Sequence, residues 1–190
     1  PKNLNIDTKP ISLYMVVDSI CRELQGNVQA RKITLSHDNL GEIPSVYGDS
    51  GALKKVFEIL INYAMTHTPS GGKITITGRH IPPRSELLKW EGAEVIVSDT
   101  GIGIGAETKG RFFQEHMNPL QADFSVLDEL AAGEEKPGEE LAIVRSIIEA
   151  HNGRVWVERV VKDTEHLPGS EFHVVLPLEQ QSYPSPPEDK

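Results

Sequence analysis

The sequence predicts a two-layer α/β sandwich, in which a mixed, mainly antiparallel sheet carries its helices on one face. Three observations lead there. Two helical stretches within the first 66 residues place apolar side chains every three or four positions. Several strand-like segments follow one another with no helix between them, which favours antiparallel pairing. A third helix separates two such pairs, so the order reads helix, strand, helix, strand, strand, irregular segment, helix, strand, strand.

Taken in order, residues 12–30 carry Leu13, Val16, Val17, Ile20, Leu24 and Val28 at helical spacing, with Ser12 as N-cap. Lys32 to Ser36 alternates like a short strand. Gly48-Asp49-Ser50 opens a second helix over 50–66, in which Leu53, Val56, Phe57, Leu60 and Ala64 define one buried stripe. Thr68-Pro69-Ser70-Gly71-Gly72 stops it. Strands are expected at Lys73 to Thr77 and Ala93 to Val97, with a polar connection over 81–92 between them. A helix from Leu141 to Ala150 ends at His151-Asn152-Gly153, residues suited to a left-handed stop. Strands follow at 154–161 and 171–176. The segment 105–137 is irregular, anchored by Phe112 and Phe113, with a short helix expected from Val126 to Ala132. So long a connection in a compact domain is usually functional or mobile. Residues 180–190 are rich in Pro and Ser and read as a disordered tail.

Composition narrows the function. The 190 residues suit one domain, 1–179, plus that tail, and 38% apolar content can fill its core. A net charge of −9 argues against general nucleic-acid binding, which needs a basic field, but allows one nucleotide held by local N–H groups. No run is long and apolar enough to span or enter a membrane. Cys21, the lone cysteine, excludes an internal disulfide, fits a reducing compartment and falls in the apolar stripe of the first helix as core filler. A cytoplasmic domain is therefore expected. Pro1-Lys2-Asn3-Leu4 reads as a cut from a longer chain. The seven histidines form no metal-ligand spacing, and structural or surface roles are expected for all of them.

Asp99-Thr100-Gly101-Ile102-Gly103-Ile104 follows an apolar strand. Two glycines let the backbone turn sharply and approach a planar ligand. The carboxylate beside them can accept a hydrogen bond from an exocyclic amine. Alone, the pattern also describes a strand end with a capping Asp.

Further segments, in order, settle between these readings. Val46-Tyr47-Gly48-Asp49 with Leu53 and Val56, Thr68 to Ile74, Asp99 to Ile104, Arg111-Phe112-Phe113, Leu141 to Val144, Glu149 to Gly153, Gly169 to Phe172 and Leu176-Pro177 together resemble the ATP-binding domain of sensor histidine kinases. That domain belongs to a wider group with gyrase, Hsp90 and MutL. The resemblance covers residues 4–178 and implies a Bergerat-type fold, with 105–138 as the ATP lid. It implies that Asp99 binds the adenine amino group, that Gly101 and Gly103 shape the pocket, and that Ser170 supports adenine through a water. It also implies two partners, a dimerisation helix bearing the phosphoacceptor His and a response regulator.

The chain departs from the family where phosphate is held. The positions of the family's paired Asn residues fall on Ile59 and Tyr63, and those of its Lys and aromatic on Thr66 and His67. Neither Ile nor Tyr replaces the short amide that binds Mg²⁺, on which phosphoryl transfer depends. Glu58 and Asn62 share the same four-residue spacing, and a one-residue slip of the helix would make Asn62 a nucleotide contact; a solvated polar face fits the apolar stripe better. Asn118 stands where a basic lid residue is usual. The second glycine box reads Lys136-Pro137-Gly138-Glu139-Glu140-Leu141, with carboxylates where backbone N–H groups would cradle phosphate. No histidine begins a phosphoacceptor helix. The expectation is a weak ATP or ADP binder without Mg²⁺, acting as a regulatory pseudokinase. An active kinase using Asn62 and a pure protein-interaction module are the alternatives.

Overall fold

The structure, a computed structural model, describes residues 6–83, 91–105, 137–159 and 167–178. Helix α1 (Leu13–Ala30) begins where the Ser12 hydroxyl accepts the Met15 N–H at 3.4 Å. It ends in a Schellman turn: Lys32 adopts φ 56°, its N–H donates to the Gln29 carbonyl at 3.0 Å, and the Ile33 N–H donates to that of Val28 at 2.9 Å. This turn uses Lys32 and Ile33, so strand β2 (Thr34–Asp38) starts later than the expected Lys32.

Two three-residue strands escaped the sequence reading. β1 (Lys9–Ile11) and β3 (Val46–Gly48) pair antiparallel as a separate ribbon beside the helices' N-terminal ends. Helix α2 (Ser50–His67) follows, its first turn capped by Asp49, whose Oδ1 accepts the Ala52 N–H at 3.0 Å. β4 (Lys73–Ile81) and β5 (Gly92–Asp99) both outrun their expected lengths and pair in full register from Ile74–Asp99 to Ile81–Gly92. Alternation in β4 is masked by Gly78, where a Cβ would lie 2.3 Å from Ile43 Cδ1 and 2.8 Å from Leu40 Cδ2. Glycine there leaves room for the Leu40 and Ile43 side chains of the short 3-10 turn Leu40–Glu42 and its cap.

Helix α3 (Pro137–Ala150) starts before the expected Leu141. It stops as expected, with Asn152 at φ 57° and the Gly153 N–H donating to the Ile148 carbonyl at 2.9 Å. β6 (Arg154–Arg159) and β7 (Ser170–Pro177) complete a five-stranded sheet in the order β2-β4-β5-β7-β6. β2 and β4 are parallel, joined across α2, and the other pairs are antiparallel. The mixed sheet with its helices is the predicted α/β architecture.

The core lies between sheet and helices: Ile74, Ile76, Val95, Val97, Phe172 and Val174 meet Val17, Ile20, Phe57, Leu60, Val144 and Ile147. Phe57 and Phe172 are wholly buried, each worth about 1.5–3 kcal/mol. α2 packs against α1, α3 and the sheet, so its burial exceeds the single stripe expected. Ile59, Ile61, Tyr63 and Met65 are buried as well, leaving an exposed strip through Gly51, Asn62 and Thr66. Cys21 is buried on α1, and desolvation foremost pushes its thiol up to about 11, as befits an inert filler.

His151 closes the helix layer. Its Nε2 lies 3.0 Å from the Asp49 N–H and must accept there, so Nδ1 carries the proton and donates to the Ile147 carbonyl at 2.7 Å. Burial holds this imidazole below its ordinary range. Among the described residues, no helix is long and apolar enough to cross a membrane. The expected lid lies almost wholly outside the described residues, Phe112, Phe113, Asn118 and Lys136 included, and so does the 180–190 tail.

Candidate functional site

The glycine loop closes on three parts of the fold at once. Asp99 is the last residue of β5 rather than a loop residue, paired with Ile74 on one side and Ser170 on the other. Beyond it the chain is tied down by main-chain bonds. The Thr100 N–H donates to the Lys73 carbonyl at 3.0 Å, the Ile102 N–H to that of His67 at 3.2 Å, and the Gly169 N–H to that of Gly101 at 2.9 Å. The end of α2, the start of β4 and the start of β7 therefore hold one short turn.

Glycine is required for that closure. A Cβ on Gly101 would sit 2.2 Å from the His67 carbonyl oxygen, and one on Gly169 would sit 2.2 Å from that of Asp99. Gly103 and Gly169 also take φ of 76° and 66°.

The result is a carboxylate held in place with one oxygen used and one spare. Asp99 is 6% exposed. Its Oδ1 accepts the Gly101 N–H at 2.8 Å, whereas Oδ2 is buried without a hydrogen-bond partner among the described residues. Burial foremost raises the Asp99 carboxyl above its ordinary range, offset in part by the N–H groups of Gly101 and Ser170 and by His67. Such an oxygen is a ready acceptor for an N–H of a ligand.

The structure thus brings Asp99, Gly101, Gly103 and Ser170 together. Asn62 is not among them: it is exposed, about 100° around the helix from buried Tyr63, in an α2 that runs without a slip from its Asp49 cap. Its carbonyl accepts the Thr66 hydroxyl at 3.0 Å, and Glu58 faces Lys54 at 3.7 Å.

Tyr63, which the resemblance sets at the second of the family's Asn positions, packs in a way that the sequence did not indicate. Its ring stacks on His67 at 4.0 Å and meets Phe172 edge-on at 5.3 Å. Burial and then the charge of Asp99 push its phenol upward. Tyr63 therefore belongs to the wall beside Asp99. The signal was present in its place four residues before His67, one helical turn away.

Residues 48–180 match a family model described as Histidine kinase-, DNA gyrase B-, and HSP90-like ATPase. Among curated proteins, the adaptive-response sensory kinase SasA of Microcystis aeruginosa is 30% identical over 85% of this chain and 38% of its own length. SasA of Thermosynechococcus vestitus is 30% identical over 92% of this chain and 40% of its own. The chain thus spans about two fifths of these relatives. In fold it is similar to a mycobacterial sensor histidine kinase, MprB, with TM-score 0.64, 21% identity and coverage of 90% of this chain and 97% of that one. It is also similar to histidine kinase ThkA, solved in complex with the response regulator TrrA, with TM-score 0.62 at 20% identity over 92% of this chain and 42% of that one.

Proposed function

Because the chain belongs to the histidine kinase-, DNA gyrase B- and HSP90-like ATPase family, we propose that it is the nucleotide-binding domain of a sensor histidine kinase that still recognises adenine but has lost its phosphate and metal contacts. The observation that carries this reading is the spare, buried Asp99 Oδ2, an acceptor suited to an adenine amine. Asp99 would hold that amine, Gly101 and Gly103 would let the backbone approach the ring, and Ser170 would support it. ATP and ADP share this base, so both are candidate ligands.

Mg²⁺ does not fit the residues present. Ile59 has no oxygen, and the Tyr63 ring is committed to His67 and Phe172 in the wall beside Asp99. Glu139 and Glu140 add charge where phosphate would be cradled. No phosphoryl-transfer step follows from this constellation, and the domain's role is regulatory. Its partners would be the dimerisation helix of its own longer protein and a response regulator, in the cytoplasm.

Calorimetric titration with ATP and with ADP, each with and without Mg²⁺, tests the reading. The expected result is weak binding of both, indifferent to Mg²⁺. Micromolar, Mg²⁺-dependent ATP binding would instead indicate an active kinase. No binding and no nucleotide-induced change in melting temperature would indicate a pure interaction module.

A further inference from the structure

The sheet face turned away from the helices carries a polar cluster that the nucleotide reading does not use. Alternation along β7 puts Glu171 and His173 on this face, and pairing sets Glu158 of β6 directly opposite Glu171. His173 is 9% exposed, and its Nε2 is buried with no hydrogen-bond partner among the described residues. Nδ1 lies 2.9 Å from Oε1 of Glu94, a wholly buried carboxylate whose other oxygen is paired with Arg79. A carboxylate only accepts, so Nδ1 carries a proton, and in the neutral imidazole the Nε2 lone pair is the one left for a ligand. Trp156 stacks on the imidazole at 4.7 Å and 4°, fixing its plane.

The Nε2 points into a pair of carboxylates. Glu171 Oε2 is 3.8 Å away, too far for a hydrogen bond. One donor atom each from His173, Glu171 and Glu158 lie within 4.8 Å of one another. We infer that these three residues form a binding site for a divalent cation of the zinc class.

Zinc takes imidazole and carboxylate at about 2.0–2.2 Å in a tetrahedron, which places ligand atoms roughly 3.3–3.5 Å apart. Small rotations of the two carboxylates bring the cluster to that size. Two carboxylates balance the charge of the ion, and like charges on directly paired strand positions otherwise repel. One nitrogen among the donors favours zinc over the all-oxygen shells of magnesium and calcium. Glu94 supplies the outer carboxylate that commonly orients a metal-bound histidine. The Trp156 indole at 3.2 Å from Glu158 and the Ser98 hydroxyl at 3.4 Å from Glu171 steady the other two ligands. Among the described residues these three are the grouped donors, which leaves a fourth position to water or to a donor from elsewhere. The sequence did not imply this cluster because its ligands come from two strands and meet only through their register.

Titration of the chain with Zn²⁺ by calorimetry, without nucleotide, tests the site. Glu158 is exposed and Glu171 half-buried, so Glu158→Gln and Glu171→Gln leave the core intact. The control is His80→Gln, which removes an exposed histidine 2.6 Å from Glu91 elsewhere on the sheet. The expected result is one equivalent of Zn²⁺ in the parent, a loss of about tenfold or more in each glutamine variant, and less than about threefold change in His80→Gln. Absence of stoichiometric binding, a smaller loss in either glutamine variant, or a comparable loss in His80→Gln overturns the assignment.

Discussion

Replacing Asp99 by Asn separates the cost of the carboxylate from its use. Asn can keep the Oδ1 contact to the Gly101 N–H, 2.8 Å in the parent, while turning an N–H₂ group toward the place of Oδ2. An unpartnered acceptor becomes an unpartnered donor, so stability near neutral pH should change by less than about 1 kcal/mol. The pH dependence should change more clearly. The folded Asp99 carboxyl titrates above its unfolded value of about 3.9. The unfolded chain therefore releases this proton first, and the Asp99 contribution is fully present below about pH 3.9 and is lost as pH rises through the raised folded value. Asn lacks that loss, so the parent should weaken relative to D99N across this window, as read by urea unfolding at a series of pH values. Nucleotide binding should move differently. A hydrogen bond to a charged acceptor is worth about 1.5–3 kcal/mol, so affinity for ADP should fall roughly 10- to 150-fold, or below detection. Unchanged ADP affinity together with a fall of more than about 1 kcal/mol in stability would refute the reasoning, because Asp99 would then be a structural cap.

Gly101→Ala should destabilise the chain by about 1–3 kcal/mol, near the upper end because the obstacle 2.2 Å away is the His67 main chain, and urea unfolding would read it. His151→Gln should cost about 1–3 kcal/mol at about pH 8, where the parent imidazole is neutral and makes both bonds. Its folded value lies below the free value of about 6.5, so the parent's stability is full above that pH and falls as pH drops through it; the gap to H151Q should therefore narrow by about pH 5.

The long elements were legible because their signals are local. Ser12, Asp49 and Asn152 cap or stop helices through bonds to residues three or four positions away, and each does so as the sequence indicated. The β1–β3 ribbon was not legible: Lys9–Ile11 holds a proline and three residues, too few for any period to register. The burial of α2 on three sides depends on α3, which begins about 70 residues after α2 ends. In the glycine loop, residue types announced a tight turn, but nothing local announced that His67 and Gly169 would be its anchors. The same limit hid the packing of Tyr63, whose partner Phe172 stands on a strand more than a hundred residues on.

The bond from the Asp49 N–H to His151 joins residues 102 apart in sequence. It fastens the C-terminal end of α3 to the N-terminal cap of α2, so the two helices are joined at these ends as well as through the core, where Leu141 and Val144 are buried. The other end of α2 receives the Ile102 N–H on the His67 carbonyl. One helix thus joins the His151 contact at its start to the Asp99 turn at its finish.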